Sequence, residues 1–181
     1  NQALRWISDA ANLPATAGGA FVSGGSAGNL SALVVARDTG RRKLVERDGE
    51  QARYRRLRVV VSDQAHSSIK NTLSILDVDP FVIRMADHRF TGDALRAALD
   101  ADPDPETIVG VVATSGTTNA GLVDDLRGIG TVARERGMSV MVVVSAMGDG
   151  TDDLLALAQT LGPDAADKRA LAPDNHPQVQ R

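Results

Sequence analysis

The chain has 181 residues, 43% of them hydrophobic, which is enough to bury one full-sized core without disulfide or metal staples. Twenty basic residues against 23 acidic ones leave a formal net charge of -3. That balance excludes the broad positive field of a nonspecific nucleic-acid binder and directs attention to small molecules or proteins as partners. The absence of cysteine removes disulfides, thiolate nucleophiles and cysteine metal sites from consideration.

The apolar runs are strand-sized, short of the ~20 residues that span a bilayer, so no membrane association is expected. The first residues lack a charged region followed by an apolar run, and cytoplasm is the default compartment. Position 1 is Asn, not Met, which fits a chain that begins inside a larger protein.

Leu4, Ile7 and Ala11 recur at helical spacing over Asn1 to Asn12, and Leu13-Pro14 should close that helix. Ala20-Phe21-Val22 reads as a short strand, followed by the loop Ser23-Gly24-Gly25-Ser26-Ala27-Gly28-Asn29 and a helix with Leu30, Leu33 and Val34 on one face. Arg41 to Arg58 carries eight of the 20 basic residues, interleaved with Glu46, Asp48 and Glu50 and with one aromatic, Tyr54. The acids dilute its field and stacking residues are missing, so a solvated loop is the expectation there, not a nucleic-acid patch.

Val59 to Val61, Phe81 to Ile83 and Ile108 to Val112 read as buried strands, each followed by a polar turn and a helical pattern. A helix from about Leu126 to Arg136 and a strand from Val140 to Val144 repeat the unit. Such alternation implies an α/β fold with a mainly parallel sheet and flanking helices. After Val144 the character changes. An amphipathic helix is expected around Leu154 to Leu161, with a polar tail from Gly162 to Arg181 that should be disordered. The expected division is residues 1–144 as one partial domain and 145–181 as a divergent C-terminal element.

Three loops carry candidate chemistry. A glycine loop entering a helix gathers free amides at the positive helix end, so Gly24, Gly25 and Ser26 form a candidate phosphate site. A tight turn with Ser26 as helix N-cap is the alternative. The Gly-Lys-Ser/Thr ending of a P-loop is absent, and Ser23 stands where a GxGxxG frame needs its first glycine. His66, in Ser62-Asp63-Gln64-Ala65-His66-Ser67-Ser68, falls just past the strand at Val59 to Val61, where open α/β sheets bind ligands; a plain surface histidine is the competing reading. His88 and His176 have no such position. Ala113-Thr114-Ser115-Gly116-Thr117-Thr118-Asn119-Ala120-Gly121 again follows a strand and either lines the same crevice or is an ordinary loop, with Asp124 or Asp125 capping the next helix. No metal site is expected, because no two histidines share a helix face and His66 has no second ligand at suitable spacing.

Taken together, Phe21 to Leu30, Ser62 to Ser68 and Val112 to Thr118 resemble the group II pyridoxal-phosphate-dependent amino-acid decarboxylases, a family that includes the aromatic-L-amino-acid and glutamate decarboxylases. Gly121 with Asp124-Asp125-Leu126 continues the pattern, and the resemblance extends to about Met138. It implies a fold-type I large domain, pyridoxal 5'-phosphate as cofactor, an L-amino acid as substrate and a homodimer. It makes Gly24, Gly25 and Ser26 the phosphate cradle, stacks His66 on the pyridine ring as the catalytic histidine, and sets Thr118 close to the cofactor.

Two family features are expected and absent. Decarboxylation through this cofactor uses a lysine to hold it covalently and an acid beside the pyridine nitrogen. The family strand reads approximately His-Val-Asp-Ala-Ala-Tyr, whereas this chain reads Met141-Val142-Val143-Val144-Ser145-Ala146, with Val143 at the aspartate position. The lysines are Lys43, Lys70 and Lys168, none preceded by the family's histidine. A truncation or frameshift near Met138 accounts for both. The chain alone is then expected to be inactive and weakly stable. The other readings are a non-catalytic protein that binds the cofactor or pairs with an intact homologue, and a nucleotide-binding α/β domain using the Gly24 to Gly28 loop.

Overall fold

The structure is a computed structural model that describes residues 2–85, 87–117 and 121–144. The expected C-terminal helix at Leu154 to Leu161, the tail beyond it and the 145–181 element lie outside the described residues, as does Thr118.

The chain divides into two units, one formed by residues 1–20 with 146–181 and the other by residues 21–145. In the first, helix α1 spans Gln2–Ala10 and buries none of its residues. Pro14 is not what ends it. Asn12 turns into the left-handed region at φ 50°, and Leu13 N–H and Asn12 N–H donate to the carbonyls of Ser8 and Asp9. This pair of bonds is the Schellman arrangement that satisfies the last carbonyls of a helix.

The second unit is a three-layer α/β/α sandwich. Four parallel strands, β1 (Leu57–Ser62), β2 (Val78–Ile83), β3 (Ile108–Ser115) and β4 (Ser139–Val144), lie in the order β2-β1-β3-β4. Helices α2 (Gly25–Asp48) and α3 (Ser67–Ile75) cover one face; α4 (Gly92–Ala101) and α5 (Leu126–Glu135) cover the other. The β-branched runs expected as strands form β1, β3 and β4, because their Val and Ile side chains pack on both faces of a sheet sandwiched between helices. Leu33, Leu44, Val59, Val61 and Leu73 make the core under α2 and α3. Val60, Phe90, Leu95, Val111 and Ile129 make the core under α4 and α5.

Two expectations are corrected. Ala20-Phe21-Val22 is not a strand; Phe21 and Val22 are largely exposed, and the glycines that follow leave too few residues for a ladder. Residues 41–58 are not a loop, since α2 continues to Asp48 and a 3₁₀ turn occupies Glu50–Tyr54. The helix persists because Leu33, Ala36, Gly40 and Leu44 bury one continuous stripe. Its charges are spent locally: Arg53 pairs with Glu50, Arg55 with Asp48 and Asp104, Arg56 with Asp77 and Asp79, and Arg58 with Asp102.

Helix α2 reaches the sheet at an irregularity in β3. Arg58 pairs with Ile108 but Val59 with Gly110, so Val109 is an extra residue that turns toward α2. A Cβ on Gly40 would lie 2.3 Å from the Val109 Cβ, so the helix can rest there only without a side chain. Among the described residues, no helix is long and apolar enough to cross a membrane.

Candidate active site

The strand order fixes where a ligand belongs. From β1 the chain leaves through α3 toward β2 on one side; from β3 it leaves through α5 toward β4 on the other. The loops after β1 and β3 therefore diverge, and the crevice between them at the carboxyl ends of the strands is the topological switch point of the sheet. A cavity of about 720 Å³ opens there, lined by Gly24, Gly25, Ser26, His66, Thr114 and Thr117 among others.

Helix α2 points its N-terminus into this cavity. Gly24 is the N-cap, at φ 150° and ψ 170°, a conformation that only glycine adopts freely. No side chain caps the helix, so Ser26 is not the N-cap; it lies in the first turn and lines the cavity. The uncapped amides of a 24-residue helix leave the positive end of its dipole available to an anion.

His66 is held at the start of α3 as its N-cap. Its Nδ1 accepts from the backbone N–H of Ser68 at 3.2 Å and lies 2.9 Å from Ser68 Oγ, which in turn accepts from Asn29 Nδ2 at 2.9 Å. Ser68 is buried while the His66 ring is exposed to the cavity.

The loop after β3 is closed by its own backbone. Gly116, at φ 95°, and Thr117 both donate to the Leu122 carbonyl, and Thr117 Oγ1 accepts from Leu122 N–H at 3.0 Å. Asp124, only 3% exposed, clamps the base of this loop. Its Oδ2 accepts from Thr114 N–H at 2.7 Å and its Oδ1 from Phe90 N–H at 3.0 Å. Burial pushes the Asp124 carboxyl above the ordinary carboxylate range, against the opposing pull of those two amides and Arg89. Asp125 is the helix cap, accepting from Gly128 N–H at 2.9 Å and from Gly92 N–H at 3.3 Å; these bonds hold its carboxyl below the usual range. The sequence offered either aspartate as a cap, and the two divide the work.

The structure thus brings Gly24, Gly25, Ser26 and His66 to one cavity, whereas Thr118 lies outside the described residues. Sequence reading missed Asn29, Ser68 and Asp124 as functional neighbours. Asn29 and Ser68 stood inside the singled-out loops, and only their spacing across two helices shows that they meet. The side of the cavity formed by β4 is apolar, made by Met141, Val142, Val143 and Val144. Among the described residues no lysine lines it: Lys43 donates to the Gly137 carbonyl at the opposite end of the sheet, and Lys70 is exposed on α3. A second cavity, of about 280 Å³, lies at that opposite end, where Arg47 and Arg136 are paired with Glu106 and Asp100.

Residues 1–151 match the family model described as the pyridoxal-dependent decarboxylase conserved domain, so the match continues past Met138, where the motif resemblance fades. An L-2,4-diaminobutyrate decarboxylase of Rhizobium meliloti is 36% identical over 152 residues, covering 81% of this chain and 29% of that protein. A glutamate decarboxylase-like protein of Gibberella zeae is 36% identical over 126 residues, 67% of this chain and 24% of the relative. The chain therefore spans 24–29% of the length of these curated relatives. Among solved structures, the glutamate decarboxylase domain of a Vibrio parahaemolyticus diaminobutyrate-pyruvate transaminase and L-2,4-diaminobutyrate decarboxylase superposes with a TM-score of 0.71 at 26% identity, covering 85% of this chain and 35% of that one. Oryza sativa TDC, solved with PLP and tryptamine, gives a TM-score of 0.69 at 28% identity over 84% of this chain and 33% of that one.

Proposed function

Because the chain belongs to the pyridoxal-dependent decarboxylase family, we propose that its switch-point cavity is the cofactor-docking part of an enzyme that removes the α-carboxylate from an L-amino acid. The observation that carries this reading is the meeting of an uncapped helix N-terminus and an exposed imidazole at one cavity of about 720 Å³. Gly24, Gly25 and Ser26 would hold the phosphate by backbone amides, with the Ser26 hydroxyl as a further donor. His66 would lie against the ring as the catalytic histidine, and Thr118 would stand close by. When bound, pyridoxal phosphate supplies an electron sink for the pair left by the departing carboxylate.

The fit is good for a phosphate and an aromatic ring and poor for the rest of the cofactor. Val143 packs beside the α2 core and presents no charge to a pyridine nitrogen, and among the described residues the cavity has no lysine for covalent attachment. We therefore read the chain by itself as able to dock the cofactor without turning over substrate. An amino-acid substrate, a homodimer and a cytoplasmic compartment belong to the same proposal.

The test is a titration of the full chain with pyridoxal phosphate and with pyridoxal, followed by cofactor absorbance and circular dichroism. Pyridoxal phosphate should bind at least tenfold more tightly, a difference of about 1.4 kcal/mol carried by the phosphate cradle. Labelled L-amino acids should release no carbon dioxide. Equal affinities would remove the cradle from the site, and carbon dioxide release would overturn the reading of the apolar wall.

A further inference from the structure

We infer that Asn29 and Ser68 are positioning residues that fix His66 as its Nε2–H tautomer, so that the cavity meets a hydrogen-bond donor at this ring and not a base. A backbone N–H can only donate, so the bond from Ser68 N–H places a lone pair on His66 Nδ1. Asn29 Nδ2 donates to Ser68 Oγ, which leaves the hydroxyl proton free to point at Nδ1, 2.9 Å away. Every proton in the relay runs the same way and ends on that lone pair. In the neutral ring the remaining proton must then sit on Nε2. Turning the Asn29 amide over would draw the Ser68 proton toward Asn29 and leave two lone pairs facing each other across 2.9 Å.

The relay also ties two parts of the site together. Asn29 stands one turn inside α2, the helix whose N-terminus offers the anion cradle, while Ser68 belongs to the first turn of α3. Ring orientation and cradle position are set by one set of bonds across the two helices. Among the described residues Nε2 meets no partner, so the Nε2–H is available to a ligand acceptor such as a carboxylate or a carbonyl oxygen. The inference deepens the proposed function by assigning polarity to the same cavity, but its test needs no ligand, so either can fail without the other.

The experiment is the pair of ring-nitrogen chemical shifts in the full chain labelled with ¹⁵N-histidine, recorded above pH 8 where ordinary imidazoles are neutral. The chain has three histidines, and the His66→Gln spectrum assigns the signal. The unmodified chain should show Nε2 protonated and Nδ1 accepting, by ten to one or more. Asn29→Asp reverses the relay, since a carboxylate takes the Ser68 proton and turns an oxygen lone pair toward Nδ1. It should raise the Nδ1–H fraction at least tenfold. Ser68→Thr retains the hydroxyl and should keep the original ratio, whereas Ser68→Ala, left with the backbone N–H bond alone, should lower it. A dominant Nδ1–H form in the unmodified chain overturns the inference even if every variant fails to fold, and so does an unchanged ratio in folded Asn29→Asp.

Discussion

Adding one methyl group at Gly40 tests whether the seating of α2 on the sheet is as tight as the geometry requires. The new Cβ would fall 2.3 Å from Val109 Cβ and 2.4 Å from its Cγ1. Carbon atoms approach no closer than about 3.5 Å without repulsion, so something must move by roughly 1 Å. Val109 has little room to swing away, because it is the extra residue of the β3 bulge and its chain neighbours Ile108 and Gly110 are both paired to β1. Overpacking of this kind costs about 1–3 kcal/mol, and the rigid neighbour favours the upper end. Ala is the better helix former by about 1 kcal/mol, which offsets part of the cost. The net expectation for Gly40→Ala is about 2 kcal/mol of destabilisation, or a Tm lower by about 4–8 °C for a chain of this size. The assay is thermal unfolding by circular dichroism, repeated with Gly40→Ala/Val109→Gly, which removes the clashing Cβ and Cγ atoms, and with Val109→Gly alone as the reference. The double variant should recover more than additivity allows, by at least about 0.5 kcal/mol. A Gly40→Ala chain as stable as the parent, or more so, would refute the close approach and with it the seating of the helix that carries the candidate cradle.

Three further perturbations probe the site and the sheet. Gly24→Ala forces a side chain into a region that costs about 1–3 kcal/mol for any residue but glycine, so pyridoxal phosphate affinity should fall roughly tenfold or more while pyridoxal affinity changes little; equal losses for both ligands would show that the loop does not act through phosphate. Asp124→Asn can accept from only one of the Phe90 and Thr114 amides, at a cost of about 1–3 kcal/mol at neutral pH by urea denaturation. Because burial holds the Asp124 carboxyl above its unfolded value, the folded chain binds that proton more tightly. Its contribution is complete below about pH 3.9 and is lost as pH rises through the folded pKa. The stability gap between parent and Asp124→Asn should therefore narrow from pH 4 to pH 7, and a gap that widens would contradict the assignment. Val142→Lys places a charge on β4, an edge strand among the described residues, which reads Ser-Val-Met-Val-Val-Val, and light scattering should show less self-association than for the parent chain, with an unchanged particle size counting against β4 as an exposed edge.

The fold was legible where hydrophobic period and element length agreed. Val59 to Val61, Ile108 to Val112 and Val140 to Val144 are β-branched runs too short for buried helices, and each lies within a strand. The errors came where local chemistry was read without its tertiary partner. The charges at Arg41 to Asp48 suggested a solvated loop, yet the stripe Leu33, Ala36, Gly40 and Leu44 continues beneath them and keeps the chain helical. The glycine at position 40 has its reason in Val109, which the bulge displaces toward the helix. Phe21 and Val22 had strand character but no sheet edge to join.

The site was legible as a set of loops but not as a set of bonds. Position after a strand and before a helix identified Ser62 to Ser68 and Ala113 to Gly121, because topology alone sends such loops to one edge of a parallel sheet, whereas Ser23 to Asn29 follows no strand and reaches the cavity as the N-terminus of α2. The order β2-β1-β3-β4 then selects which of them share a crevice, and that order is invisible in one dimension. Asn29 and Ser68 are 39 residues apart, and Asp124 holds an amide 34 residues before it. No spacing rule connects residues at such separations; they meet because the covering helices lie where the two hydrophobic clusters put them. The polarity of the His66 ring therefore follows from packing of apolar residues far from it. It follows too that substitutions under α2, such as at Gly40, should reach the cavity through the Asn29 bond before they reach it by unfolding.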